Sequence, residues 1–257
     1  MKGKNNNMKI RLILIALIFF TNFTLSQDED FGNSGQKILR MGGAGGFTPY
    51  VLFWNVKEIN NALQTQAGPT LKNQPIFLYG GEGYGYIMVI ENLRIGGLGV
   101  GGRTKSSSIL GSTRMDLEAN VAFGGLTINY AIPLSQRIDF TVGSMVGWGG
   151  IDLKLRRDNW GVKNWDVLLN QWGSSGLVQV NNFSYSVNST FFVFQPNVKI
   201  EYAILRWLSL RIGVGYLGMV GGDWKLDDQF ELIGVSKKLN ASGITIDSGI
   251  FIGTFMF

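Results

Sequence analysis

Asp116 and Glu118 stand two residues apart in the stretch TRMDLEANVAF. On an extended chain this spacing puts both carboxylates on one face, an arrangement that could serve general acid–base chemistry. Arg114 shares that face, so the group reads more simply as a structural charge cluster. The usual catalytic partners are missing. The 257 residues include no histidine and no cysteine. Ser-His and Cys-His nucleophilic catalysis are therefore excluded, as are disulfides and thiolate metal sites. Two glycine-rich stretches, GGEGYGY and GGLGVGG, superficially resemble phosphate-cradling loops. Neither fits G-x-x-x-x-G-K-[ST], and both lie in strand-like sequence, which argues against nucleotide binding. The expectation is a protein with no catalysis, cofactor or bound metal.

The elements that would hold these residues are strands. Four segments alternate apolar and polar residues with period two. In the first, Met115, Leu117, Ala119, Val121 and Phe123 oppose Arg114, Asp116, Glu118 and Asn120. Beyond Gly124-Gly125 the apolar set changes parity to Leu126, Ile128 and Tyr130. The second carries Phe140, Val142, Val146 and Trp148, and it changes parity at Gly149-Gly150 to Ile151, Leu153 and Leu155. Each flip has two explanations. A glycine bulge could re-aim the side chains, or the strand could leave the membrane there, so that its faces exchange meaning. The third segment covers 191–204, where Pro196 predicts a bulge or a strand end nearby. The fourth covers 207–221.

Counting less regular stretches gives eight strands, at 38–54, 76–91, 93–105, 113–132, 137–156, 191–204, 207–221 and 243–257. Short connections fall around Asn92, Pro133 and Leu205-Arg206. Longer ones fall at 55–75, 157–190 and 222–242, with 106–112 intermediate. An even strand number puts every short turn at the end that holds both termini, the pattern of an outer-membrane barrel. After residue 20 no apolar run reaches the ~20 residues a membrane helix needs. Backbone groups in hydrocarbon must all be paired, which leaves a closed barrel as the spanning solution. The fold class expected is all-β: an antiparallel transmembrane β-barrel of about eight strands, with short helices in extracellular loops. Helical spacing over 55–68 and over Trp165–Trp172 marks those helices. Aromatics near strand ends suggest two girdles, with Tyr130, Tyr202, Trp207, Phe255 and Phe257 at one end. Trp54, Tyr79, Phe123, Trp148, Phe192 and Trp224 would form the other.

Residues 1–26 read as a secretory signal peptide with a basic start and the apolar core LILIALIFF, leaving 27–257 as one barrel domain. Lys2, Lys4, Lys9 and Arg11 would leave with it. The mature balance is then 19 basic against 18 acidic residues, so the basic pI of 9.4 is no argument for nucleic acid.

The signal, the alternating strands and the last strand GIFIGTFMF resemble those of small bacterial outer-membrane β-barrel proteins. That resemblance implies residence in the bacterial outer membrane, with membrane lipid and the outer-membrane assembly machinery as partners. Phe251, Phe255 and Phe257 would be the C-terminal signal read by that machinery, although Ile250, Ile252 and Met256 make the opposite face apolar too.

Within such a barrel, pairing Ile204 with Leu208 sets Glu201 opposite Arg211 and Tyr202 opposite Leu210. A turn two residues tighter would oppose Lys199 to Arg211, a disfavoured like-charge pair. Arg114, Asp116, Glu118, Asp139, Lys199, Glu201, Arg211 and Asp247 are expected to line the interior as a salt-bridged filling. Gly97 and Gly99 are expected to clear lumen space for bulky groups such as Trp54. Function then divides three ways: a structural or surface-interaction barrel, a narrow transporter or binder of a small or apolar molecule, and a secreted soluble β-sandwich.

Overall fold

The computed structural model describes residues 41–64, 68–159, 165, 182–236 and 238–255. The expected signal peptide, the helix over Trp165–Trp172 and Phe257 lie outside those residues, except for Trp165 itself. Eleven strands and one helix follow in order: β1 (Gly42–Phe47), β2 (Tyr50–Trp54), α1 (Lys57–Gln64), β3 (Ile76–Tyr86), β4 (Leu93–Leu110), β5 (Thr113–Pro133), β6 (Ile138–Asn159), β7 (Phe183–Leu205), β8 (Leu208–Val220), β9 (Trp224–Leu226), β10 (Phe230–Glu231) and β11 (Gly243–Phe255).

β1 and β2 are one barrel strand interrupted at Thr48-Pro49. Both pair with β11 and both pair with β3, in the same register on either side of the break. Proline has no N–H to give a ladder, so the interruption falls there. Each later strand pairs antiparallel with the next from β3 to β8, and β8 pairs with β11, which closes a ring of eight. Closure leaves the membrane-level backbone without a free edge. The eight expected strands are all present. Several run further than expected: 106–112 is not a loop but the tip of a β4–β5 hairpin turning at Gly111, whose φ is +62°.

The anticipated β7–β8 register is found. Glu201 lies opposite Arg211 and Tyr202 opposite Leu210, while a bulge at Ile204 makes Leu205, not Ile204, the partner of Leu208. Pro196 produces no bulge. The β7–β8 ladder skips Gln195 and Pro196 and resumes at Asn197↔Gly215 in unchanged register.

No strand changes face at the glycine pairs. On β5 the odd residues point inward along the whole length, from Leu117 to Ala131, and on β6 they do so from Asp139 to Leu153. What changes is the surroundings. Below Gly124 and Gly149 the outward residues are apolar apart from Ser144: Leu126, Ile128, Tyr130 and Ile132 on β5, and Phe140, Val142, Val146 and Trp148 on β6. Above them the outward residues are Arg114, Asp116, Glu118 and Asn120, then Asp152, Lys154 and Arg156, while the apolar side chains face in. The strands leave lipid for water at this level, and the apolar residue is the one that avoids water in each half. The outward apolar band on β6 runs from Ile138 to Trp148, a length that crosses a bilayer when tilted (~9–11 residues).

β4 to β7 are 18, 21, 22 and 23 residues long, against 11 to 13 for β3, β8 and β11. Four neighbouring strands therefore rise well above the membrane as a wall. Its inner face is covered by the loops. Asn55 caps α1 by accepting from the Lys57 N–H at 3.0 Å, and Val56 and Ile59 are buried by the helix's apolar side. The Asn60 side chain pins the following loop with two 2.8 Å bonds to the backbone of Leu71. β9 attaches to the free side of β7 at Val187–Ser189 and brings in Trp224. Together with Leu117, Val121, Phe123, Ile151, Leu153 and Phe191, these residues form one apolar core that fills the upper barrel.

Several expectations are corrected here. Trp54, Phe123 and Trp224 belong to this core and not to a lipid-facing girdle. Tyr79, Trp148 and Phe192 do face outward at the upper rim, and Tyr130, Tyr202 and Trp207 at the lower. Gly97 and Gly99 point out of the barrel, where a Cβ on Gly99 would meet nothing within 4 Å. They clear no lumen space.

Candidate functional site: the charged lumen

Below the apolar core the bore is polar. Among the described residues, seven charged side chains point inward: Glu82 from β3, Arg94 from β4, Asp139 from β6, Lys199 and Glu201 from β7, Arg211 from β8 and Asp247 from β11. All are buried. Of the expected interior charges, Asp139, Lys199, Glu201, Arg211 and Asp247 are where the alternation puts them. Arg114, Asp116 and Glu118 are not. They sit on the outer face of the wall, where Glu118 pairs with Lys105 at 2.7 Å and Arg114 with Asp116 at 2.8 Å. Reading the apolar face of β5 as lipid-facing throughout reversed its upper half. Glu82 and Arg94 were missed, because each is a lone charge in a glycine-rich stretch with little alternation around it. Their signal is a charge on an otherwise apolar or glycine strand, which at membrane depth must face the interior.

Two linked clusters result. Arg94 reaches Asp139 at 2.7 Å and Glu201 at 3.1 Å. The Tyr84 hydroxyl donates to Glu201 at 2.6 Å, and Tyr86 donates to Asp139 at 3.2 Å and accepts from Arg94. The guanidinium of Arg94 also lies over both tyrosine rings, 4.4 and 4.8 Å from their centroids. In the second cluster Lys199 Nζ donates to both oxygens of Glu82, at 3.1 and 2.8 Å, and Arg211 pairs with the same carboxylate. Arg211 Nη1 comes within 3.9 Å of Glu201 and joins the clusters, while its guanidinium stacks 3.8 Å from the centroid of Phe251.

These contacts cross the bore. β3 and β7 are four strands apart in a ring of eight, so the Glu82–Lys199 pair spans the diameter. Gly213 makes room for it: a Cβ there would sit 2.6 Å from Lys199 Cγ and 2.7 Å from Asp247 Oδ1. Six of these seven charges have ion-pair partners, which is how they tolerate burial, and losing one would leave the others uncompensated.

Phe251 and Phe255 share the lumen parity on β11, and Phe251 is wholly buried against Arg211 and Tyr84. The lipid side of that strand is Ile244, Ile246, Ile250 and Ile252. Among the described residues, no group of three or more His, Cys, Asp or Glu could hold a metal ion.

No family model matches this chain, and no curated protein does. Solved structures similar to it are small outer-membrane barrels. The attachment invasion locus protein Ail of Yersinia pestis, solved with the heparin analogue sucrose octasulfate, is 8% identical, with 86% of this chain and 100% of that one covered and a TM-score of 0.38. CarO2 of Acinetobacter baumannii is 13% identical over 84% and 100%, with a TM-score of 0.37. A major outer membrane protein of Thermus thermophilus is 8% identical over 82% and 98%, with a TM-score of 0.43. The closed ring and the lipid-facing apolar band of the chain itself define an integral β-barrel of the bacterial outer membrane.

Proposed function

We propose that this protein is a non-conducting outer-membrane barrel with a structural or surface-interaction role and no catalysis. One observation carries the reading: the bore is filled at two successive levels, by ion pairs that cross its diameter and by an apolar core stapled with loops. A passage for solutes would need an open path through both. What the protein offers its surroundings is the wall of β4 to β7 above the membrane. Its outer face carries Arg103, Lys105, Glu118, Asp152, Lys154 and Arg156. Beyond Gly101, where pairing with β3 ends, β4 continues to Leu110 along an edge that no other described strand covers. A free edge of this kind is a place where another chain can pair. Delivery by the outer-membrane assembly machinery is part of the same proposal, with β11 as the strand presented. Planar-bilayer recording on the purified, refolded protein tests the reading. Steady unitary conductance in wild type would refute it, and a silent membrane after verified insertion supports it.

A further inference from the structure

Among the described residues the lumen charges do not balance. Arg94, Lys199 and Arg211 supply three positive charges, while Glu82, Asp139, Glu201 and Asp247 supply four negative ones. The ion pairs among them join the first three carboxylates to the three cations. Asp247 has no cation of its own: Lys199 and Arg211 are near it, but both are paired to Glu82. Asp247 is 1% exposed, and neither of its carboxylate oxygens has a hydrogen-bond partner. A buried carboxylate without a hydrogen bond is costly, and the lumen's excess negative charge must be offset by a proton or by a further cation.

Its surroundings supply further oxygens. Asp247 lies across from Tyr50 on β2 and from Gly213 on β8, with Thr245 next on its inward face. Oδ1 of Asn197 is likewise buried without a partner, and the Tyr50 hydroxyl lies beside the Gln195 amide. Gln195 is tied to Thr245 through Nε2 at 2.8 Å, which leaves its Oε1 free to accept. Gly213 and Gly215 remove the side chains that would otherwise fill the wall between Lys199, Asn197, Asp247 and Thr245. The donor set is oxygen only, one carboxylate with neutral amide and hydroxyl oxygens, which suits a hard cation. The deficit of one charge selects a monovalent ion over a divalent one.

We propose that the mid-lumen holds a single small monovalent cation, with Asp247 as its anionic ligand and Gln195, Asn197 and Tyr50 as neutral ones. Sealed between the ion-pair layer and the apolar core, the ion would enter during folding and leave slowly.

The full chain, refolded into detergent micelles, provides the test. Refolding and thermal unfolding are compared in sodium, potassium and N-methyl-D-glucamine chlorides at equal ionic strength. An ion that binds only the folded chain raises Tm with its concentration. The expected result is a saturable rise of several degrees with sodium or potassium over the organic cation. Asp247→Asn should fold and lose that dependence, because the neutral amide removes the need for the charge. Identical melting in all three salts would overturn the proposal, as would an unchanged sodium response in Asp247→Asn. If wild type is indifferent to the cation but gains stability as pH falls, a proton neutralises Asp247 and the cation site is refuted. Should Asp247→Asn not refold, crystals of wild type grown in rubidium or thallium salts decide: an anomalous peak beside Asp247 supports the site, and its absence at full data quality overturns it.

Discussion

Glu201 on β7 lies directly opposite Arg211 on β8, and the same carboxylate takes a 3.1 Å contact from Arg94 and a 2.6 Å bond from Tyr84. One residue thus ties together four strands around the bore. Arg94 is the partner whose loss should be felt most, since Asp139 and Glu201 both depend on it. Arg94→Ala is expected to destabilise the barrel by about 3–5 kcal/mol, the usual cost of breaking a buried pair. Arg94→Lys should recover only part, because a single ammonium cannot fork between two carboxylates. Urea unfolding in micelles, followed by gel mobility without boiling, measures both.

How much of this was legible from sequence depends on where each residue stands. Alternation located four strands and less regular apolar stretches the other four, and charge pairing fixed the β7–β8 register through Glu201 and Arg211, because period-two patterning is imposed locally by any two-sided environment. It could not say which side is which. Leu117 and Leu126 are both apolar, yet one faces the core and the other lipid, since the solvent outside the barrel changes from water to hydrocarbon between them. That change placed Asp116 and Glu118 outside. Glu82 and Arg94 were obscured because glycine neighbours carry no facing information, and their partners lie 117 and 107 residues away in sequence.

Glycine substitutions separate the two sides of the sheet. Gly213→Ala would push a methyl against Lys199 and Asp247 and should cost about 1–3 kcal/mol, the range for overpacking. Gly99→Ala faces open space outside and should stay within roughly 0.5 kcal/mol of wild type. Paired denaturation curves check the contrast, and equal effects would contradict the assigned faces.

The apolar plug can be loosened from its lid. Leu71 is buried and held by Asn60, so Leu71→Ala should cost about 2–5 kcal/mol locally. Limited proteolysis from outside intact cells should then cut within residues 55–75 faster than in wild type, while the membrane-level strands stay protected.

Glu118 gives the outer wall a pH signature. The hydrogen bond from Lys105 is the main cause holding its carboxyl below the ordinary value. A depressed folded-state value means the pair's stabilisation is present above the unfolded carboxylate pKa and fades as pH falls through the folded one. Lys105→Ala should move the Glu118 titration up towards the ordinary carboxylate range, as read by NMR. The stability effect should be small and should shrink with added salt.

The central claim is that each long strand keeps one face outward while its surroundings change from lipid to water. Because the chain has no cysteine, single-cysteine spin labels along β6 report it cleanly in bilayers. Labels at the outward positions Phe140, Val142, Val146 and Trp148 should be accessible to oxygen and shielded from a water-soluble nickel relaxant. Labels at Asp152, Lys154 and Arg156 should show the reverse, with Ile151 and Leu153 shielded from both. Lipid-like accessibility passing to Ile151, Leu153 and Leu155 above Gly150 would show that the strand turns over, and would contradict the account.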